Sequence, residues 1–124
     1  MKKLIIATLL VGVTLSATDK GAELVDQKCT PCHLFSSSSS KLTDGKMGGP
    51  PMWGIMKKIR AKYANSADRI AFIRDYAMQP TEEKMLFPAA TREYFGVMPS
   101  MKDRVSDAEM QQIAEYLEHY QAVK

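Results

Sequence analysis

The sequence predicts an all-α protein, a bundle of four or five helices with no sheet. Three observations predict it. Apolar residues recur at three- and four-residue intervals through the second half of the chain, a Ser-x-x-Glu capping box opens the last such stretch, and no run alternates apolar and polar residues over the length of a strand. At 124 residues the chain is one domain. Its 45% hydrophobic and 25% charged content is that of a globular protein, not a disordered, collagen-like or polytopic membrane one.

Taken in order, the first element is not part of the fold. Met1-Lys2-Lys3, the apolar stretch Leu4 to Leu15 and the small pair Ser16-Ala17 read as a secretory signal peptide over residues 1–17. Asp19 and Lys20 end the stretch well short of the roughly 20 apolar residues a membrane helix needs. The cut falls after Ala17 or, because Leu15 is bulky, after Ser16. This leaves one domain, residues 18–124, in the periplasm, or held at the membrane by an N-terminal anchor if the signal is kept.

Gly21 to Lys28 forms a short helix with Asp19 as its N-cap, and Leu24, Val25 and Cys29 on one side. It runs into Cys29-Thr30-Pro31-Cys32-His33, a C-x-x-C-H attachment site for c-type haem. Two thiols at this spacing reach the two vinyl groups on one edge of a haem, and the adjacent imidazole becomes the proximal iron ligand. The ring must be neutral, with its second nitrogen bonded to an acceptor. A dithiol oxidoreductase uses the same C-x-x-C but sets it beside strands of a βαβ-type fold, and this chain shows no strand. A disulfide would close too short a loop to stabilise much. A zinc site would need more ligands than the motif supplies, and the only other His is His119.

Ser36 to Ser40 and the Gly/Pro-rich stretch to Pro51 read as loop. Met52, Ile55, Met56, Ile59 and Tyr63 make one apolar helical stripe, with Lys57, Lys58, Arg60 and Lys62 on the other positions. Ser66 caps the next helix, carrying Ile70, Ile73 and Ala77 in a row flanked by Phe72 and Tyr76 and stopped by Pro80. Thr81–Leu86 and Thr91–Tyr94 form helical turns, and Phe95 to Arg104 is loop. Ser106 to Glu109 is the capping box of a last helix whose apolar face is Met110, Ile113, Ala114, Leu117 and Tyr120.

Gly21, the C-x-x-C-H motif, Gly49-Pro50, Met98-Pro99 and the helix ending Ala114-Glu115-Tyr116-Leu117 stand in an order that resembles a class I cytochrome c across nearly all of residues 18–124. The resemblance implies a cytochrome c-like bundle around one covalent haem c. It also implies axial ligation by His33 and Met98, with Met101 as the rival, a Pro50 carbonyl accepting from the His33 ring, and a crossing of the first and last helices near Gly21 and Tyr116. The serine run and the long stretch from Met78 to Met98, with its own Met85, exceed a minimal member of that family.

Charge narrows the partners. Seventeen Lys and Arg stand against fourteen Asp and Glu, too even for nucleic acid. The evenness hides an asymmetry: Lys28 to Lys62 holds seven cations against Asp44 alone, whereas residues 63–124 hold seven against ten. If the cations surround the haem edge, they steer the molecule to acidic docking sites on redox partner proteins. The expectation is therefore a monomeric one-electron carrier, not an enzyme, with no small-molecule substrate and no catalytic nucleophile and base set. The alternative is a cytochrome c subunit of a periplasmic oxidoreductase complex.

Overall fold

Five α-helices and one 3-10 turn make up residues 17–36 and 47–121, the part of the chain that the computed structural model describes, and there is no strand among them. Of the predicted signal peptide over residues 1–17 all but Ala17, together with its predicted cleavage and the serine run from Ser37 with Lys41, Asp44 and Lys46, lies outside the described residues. No helix among the described residues is long and apolar enough to cross a membrane.

α1 (Ala17–Lys28) begins four residues before the predicted Gly21 and buries Leu24 and Val25. It crosses α5 (Asp107–His119) where the resemblance implied. A Cβ on Gly21 would lie 2.7 Å from the Gln112 carbonyl oxygen and 2.9 Å from Tyr116 Cβ, so only a residue without a side chain lets the two backbones come this close. α5 opens on its capping box: Ser106 Oγ accepts from the Glu109 N–H, and Glu109 Oε2 accepts from the Ser106 N–H at 2.8 Å. Its stripe of Met110, Ile113, Ala114 and Leu117 is buried.

α2 (Met52–Lys62) follows Pro51, buries Met52, Met56 and Ile59, and leaves Lys57, Lys58, Arg60 and Lys62 exposed. α3 (Ser66–Met78) is capped by Asn65, not by Ser66 as predicted. The Asn65 carboxamide accepts from the Asp68 N–H at 2.8 Å, which makes Ser66 the first helical residue. α3 packs on α5 through Ile73 and Ala77.

Between α3 and α5 the chain forms the 3-10 turn Glu82–Lys84 and α4 (Ala89–Phe95), which starts on Pro88, two residues ahead of the predicted Thr91. α4 ends at Gly96, whose φ of 71° suits a residue with no Cβ. No residue of α4 is buried.

A clasp of charged groups ties the C-terminal end of α5 to the α2–α3 corner. Arg69 Nε lies 3.0 Å from both oxygens of the Glu118 carboxylate, whose side chain is 8% exposed. Arg60 Nη2 donates to the carbonyls of Glu118 (3.1 Å) and Tyr120 (2.7 Å), groups a helix end otherwise leaves unpaired.

Candidate haem site

α1 delivers the C-x-x-C-H motif as a turn folded back on its own last residues. The Cys29 N–H donates to Val25 O at 2.9 Å, and the His33 N–H donates to Cys29 O at 2.9 Å. Thr30, buried within the motif, donates its hydroxyl to Asp26 O. Cys29 is half-buried, Cys32 is exposed, and both sulfurs are free.

His33 is 9% exposed and its Nδ1 lies 2.7 Å from the Pro50 carbonyl oxygen. A carbonyl only accepts, so Nδ1 carries the proton and Nε2 keeps the lone pair that a metal requires. Burial lowers the proton affinity of the ring, partly offset by the Pro50 bond, and this favours the neutral imidazole. Two glycines let the backbone of residues 48–50 lie against the motif. A Cβ on Gly49 would sit 2.5 Å from His33 Cε1, and one on Gly48 would sit 3.2 Å from Cys32 Sγ. The Gly49 N–H donates to Cys32 O, and the Met52 N–H to Leu34 O, closing the ligand loop on the start of α2.

His33, Cys29 and Cys32 face an apolar cleft bounded by α2, α3, the Met110, Ile113 and Leu117 face of α5 and the segments 84–87 and 95–101. The cleft is open to solvent at its mouth, and its lining is mostly apolar with a few polar groups, the character of a site for an apolar group held by a few placed polar ones. Lys28, Lys84 and Arg104 are the lysines and arginine on its walls, and no carboxylate among the described residues lines it.

Met98 and Met101 both line this cleft, held differently. Met101 is 4% exposed, and its N–H donates to Ala77 O at 2.9 Å. Met98 is half-buried, between the exposed Val97 and Pro99. The Ser100 hydroxyl donates to Met78 O at 2.7 Å and pins the loop to the end of α3. Tyr76, on the cleft wall, is hydrogen-bonded to the Met98 backbone; burial nonetheless pushes its phenol up.

The other uses of this motif fit poorly. Burial, with the neighbouring Cys32 adding to it, pushes the Cys29 thiol up to about 12, whereas dithiol exchange needs a depressed pKa. No group of three or more His, Cys, Asp and Glu among the described residues stands together to hold a bare ion. Two thiols at haem spacing, a free Nε2, a glycine cradle around the ring and an apolar cleft are what haem c requires.

A family model described as cytochrome c oxidase, cbb3-type, subunit III matches residues 16–117. The chain belongs to the class I c-type cytochromes. A protein of Aquifex aeolicus (strain VF5), described as uncharacterized, is 26% identical to this cytochrome over 134 aligned positions, covering 96% of this chain and 88% of that one. No solved structure matches it. Haem c, with its iron, is the cofactor of this family.

Of the residues singled out in the sequence, Cys29, Cys32, His33, Pro50 and Met98 all come to one cleft or its edge. Sequence reasoning passed over the packing role of Gly48 and Gly49, and Tyr76 at the Met98 loop. The glycine pair was visible directly before Pro50, and two residues lacking side chains ahead of an acceptor carbonyl are a usable signal of close backbone approach. Tyr76 carried no such mark.

Proposed function

We propose that this cytochrome is an exported one-electron carrier whose iron is held by His33 and Met98. The observation that carries the reading is the fixed tautomer of His33, with Nδ1 committed to Pro50 and Nε2 left for iron across a cleft that also holds the Met98 loop. Haem bound there supplies an iron centre that cycles between ferrous and ferric, and a thioether ligand raises its potential. The chain does the rest. Cys29 and Cys32 would hold the haem through its vinyl groups, the apolar walls would exclude water, and the Met98 thioether would ligate the iron and keep small ligands out.

Met98 is preferred to Met101 because Met101 is already packed into the core as an apolar side chain. The visible spectrum of the ferric protein matured with haem tests this. Met98→Ala removes the weak long-wavelength band of Met ligation and Met101→Ala keeps it; the opposite pattern overturns the assignment. Acidic partners dock through the cations of residues 28–62: Lys28 at the cleft and Lys57, Lys58 and Lys62 exposed on α2.

A second reading makes the protein a subunit of an exported oxidoreductase, and it rests on the description of the matched family as an oxidase subunit. Purification from the native source separates the two. Stoichiometric association with a larger enzyme supports the subunit and defeats the free carrier.

A further inference from the structure

Met98 stands in a stretch with few means of holding itself in place. Residues 97–101 read Val-Met-Pro-Ser-Met, so the Ser100 hydroxyl is the one side-chain hydrogen-bond donor among them, and Pro99 contributes no backbone N–H. The grip on this loop comes from α3. The Ser100 hydroxyl donates to Met78 O at 2.7 Å, and the Met101 N–H donates to Ala77 O at 2.9 Å.

The two acceptors are consecutive carbonyls in the last turn of α3, groups that a helix end leaves without a partner inside the helix. The Tyr76 phenol meets the Met98 backbone from the same turn, so residues 76, 77 and 78 together seat the loop. Ser100 Oγ also accepts from the Lys102 N–H at 3.2 Å. With its lone pairs engaged on one side, its own proton is directed at Met78 O.

A loop held by one bond pivots about it, whereas two bonds from adjacent residues to adjacent carbonyls fix direction as well as distance. Met101, 4% exposed, is the pivot, and Ser100 lies on the Met98 side of it. Ser100 is exposed, so water takes its place at the Met78 carbonyl when the hydroxyl is removed and the fold loses little.

We infer that Ser100 is a positioning residue for the sixth ligand, its bond to Met78 O keeping the Met98 side chain set in the cleft that His33 faces. This rests on the assignment of Met98 to the iron.

Competition with neutral imidazole in the ferric holoprotein tests it. The iron–sulfur bond breaks, an iron–nitrogen bond forms, no electron or proton is exchanged, and the weak long-wavelength band disappears as imidazole binds. Ser100→Ala raises the apparent imidazole affinity on the order of fivefold, the factor that one net hydrogen bond is worth. Ser100→Thr keeps the hydroxyl and returns the wild-type value. Asn65→Ala, which removes the cap at the far end of α3, lowers stability and leaves the imidazole affinity unchanged.

An unchanged affinity in Ser100→Ala overturns the inference, as does a Ser100→Thr variant that behaves like Ser100→Ala. An equal rise in Asn65→Ala overturns it as well, since any loosening of the fold would then release the ligand. Persistence of the long-wavelength band in Met98→Ala defeats the ligand assignment and takes the inference with it, a failure visible before any imidazole is added.

Discussion

The two walls of the haem cleft are built to different standards. On the His33 side every part is held by short-range backbone geometry: the ring by Pro50, the motif by the end of α1, and residues 48–50 by glycines with no room to spare. On the other side, residues 79–100 hang from a few bonds to α3, and their one helix buries nothing. The contrast separates the part that orients the imidazole from the part that closes the cleft opposite it. The wall that fixes the imidazole tolerates little change, whereas the wall carrying Met98 presents a surface free to vary.

That contrast is most sharply tested inside the Met98 loop. Met101→Ala removes a buried core side chain and costs about 2–5 kcal/mol by denaturant unfolding. Met98→Ala, at a half-buried position, costs less stability while altering the iron's spectrum. If the two lose stability equally, the loop is more uniformly packed than the burial pattern implies.

The tight wall comes next. Gly49→Ala and Gly21→Ala each force a methyl group into contact with atoms that cannot withdraw, and each lowers stability by about 1–3 kcal/mol. Only Gly49→Ala also disturbs the His33 ring, so its haem spectrum shifts and that of Gly21→Ala does not. Matching spectra for the two variants would break the idea that ligand positioning is local to residues 48–50.

A smaller effect belongs to the base of α5. Ser106→Ala loses the cap and about 1 kcal/mol by thermal unfolding. The Ser106 backbone N–H holds the Glu109 carboxyl below the usual glutamate range against the opposing effect of desolvation, with lesser help from the Ser106 hydroxyl and the charges of Lys20 and Lys28. A depressed folded pKa contributes stability above the unfolded value of about 4.3, and that contribution is lost as pH falls through the folded value. Glu109→Gln therefore narrows the stability gap between pH 7 and acid relative to wild type, and an unchanged gap would remove Glu109 from the acid response. By the same token, α4 surface substitutions such as Tyr94→Ser leave the unfolding midpoint within about 0.5 kcal/mol of wild type.

These expectations also mark where sequence and structure part company. The stripes of α2, α3 and α5 were legible because 3.6-residue periodicity writes burial directly into the order of residues. The cap of α3 was misplaced by one residue, since Asn65 and Ser66 are both good caps and only the bond to Asp68 distinguishes them. α4 was placed late because its start depends on Pro88 and on no apolar stripe at all. Cys29, Cys32 and His33 were legible because their chemistry demands fixed spacing. Met98 and Met101 share a loop, and their different burial comes from contacts with α3 that no spacing encodes. The Arg69–Glu118 clasp joins residues 49 apart in sequence, beyond the reach of any local pattern.

A further tie at the same end of α5 reaches the haem motif itself. The Tyr120 hydroxyl donates to the carbonyl of Phe35, two residues past His33, and the two rings meet edge-on with centroids 5.2 Å apart. Tyr120 lies just past α5 and Phe35 just past the motif, so the contact fastens the turn after His33 to the last helix across 85 residues of chain. The setting of the His33 turn therefore depends on both ends of the described chain, on α1 that leads into it and on the C-terminal helix that holds it from behind.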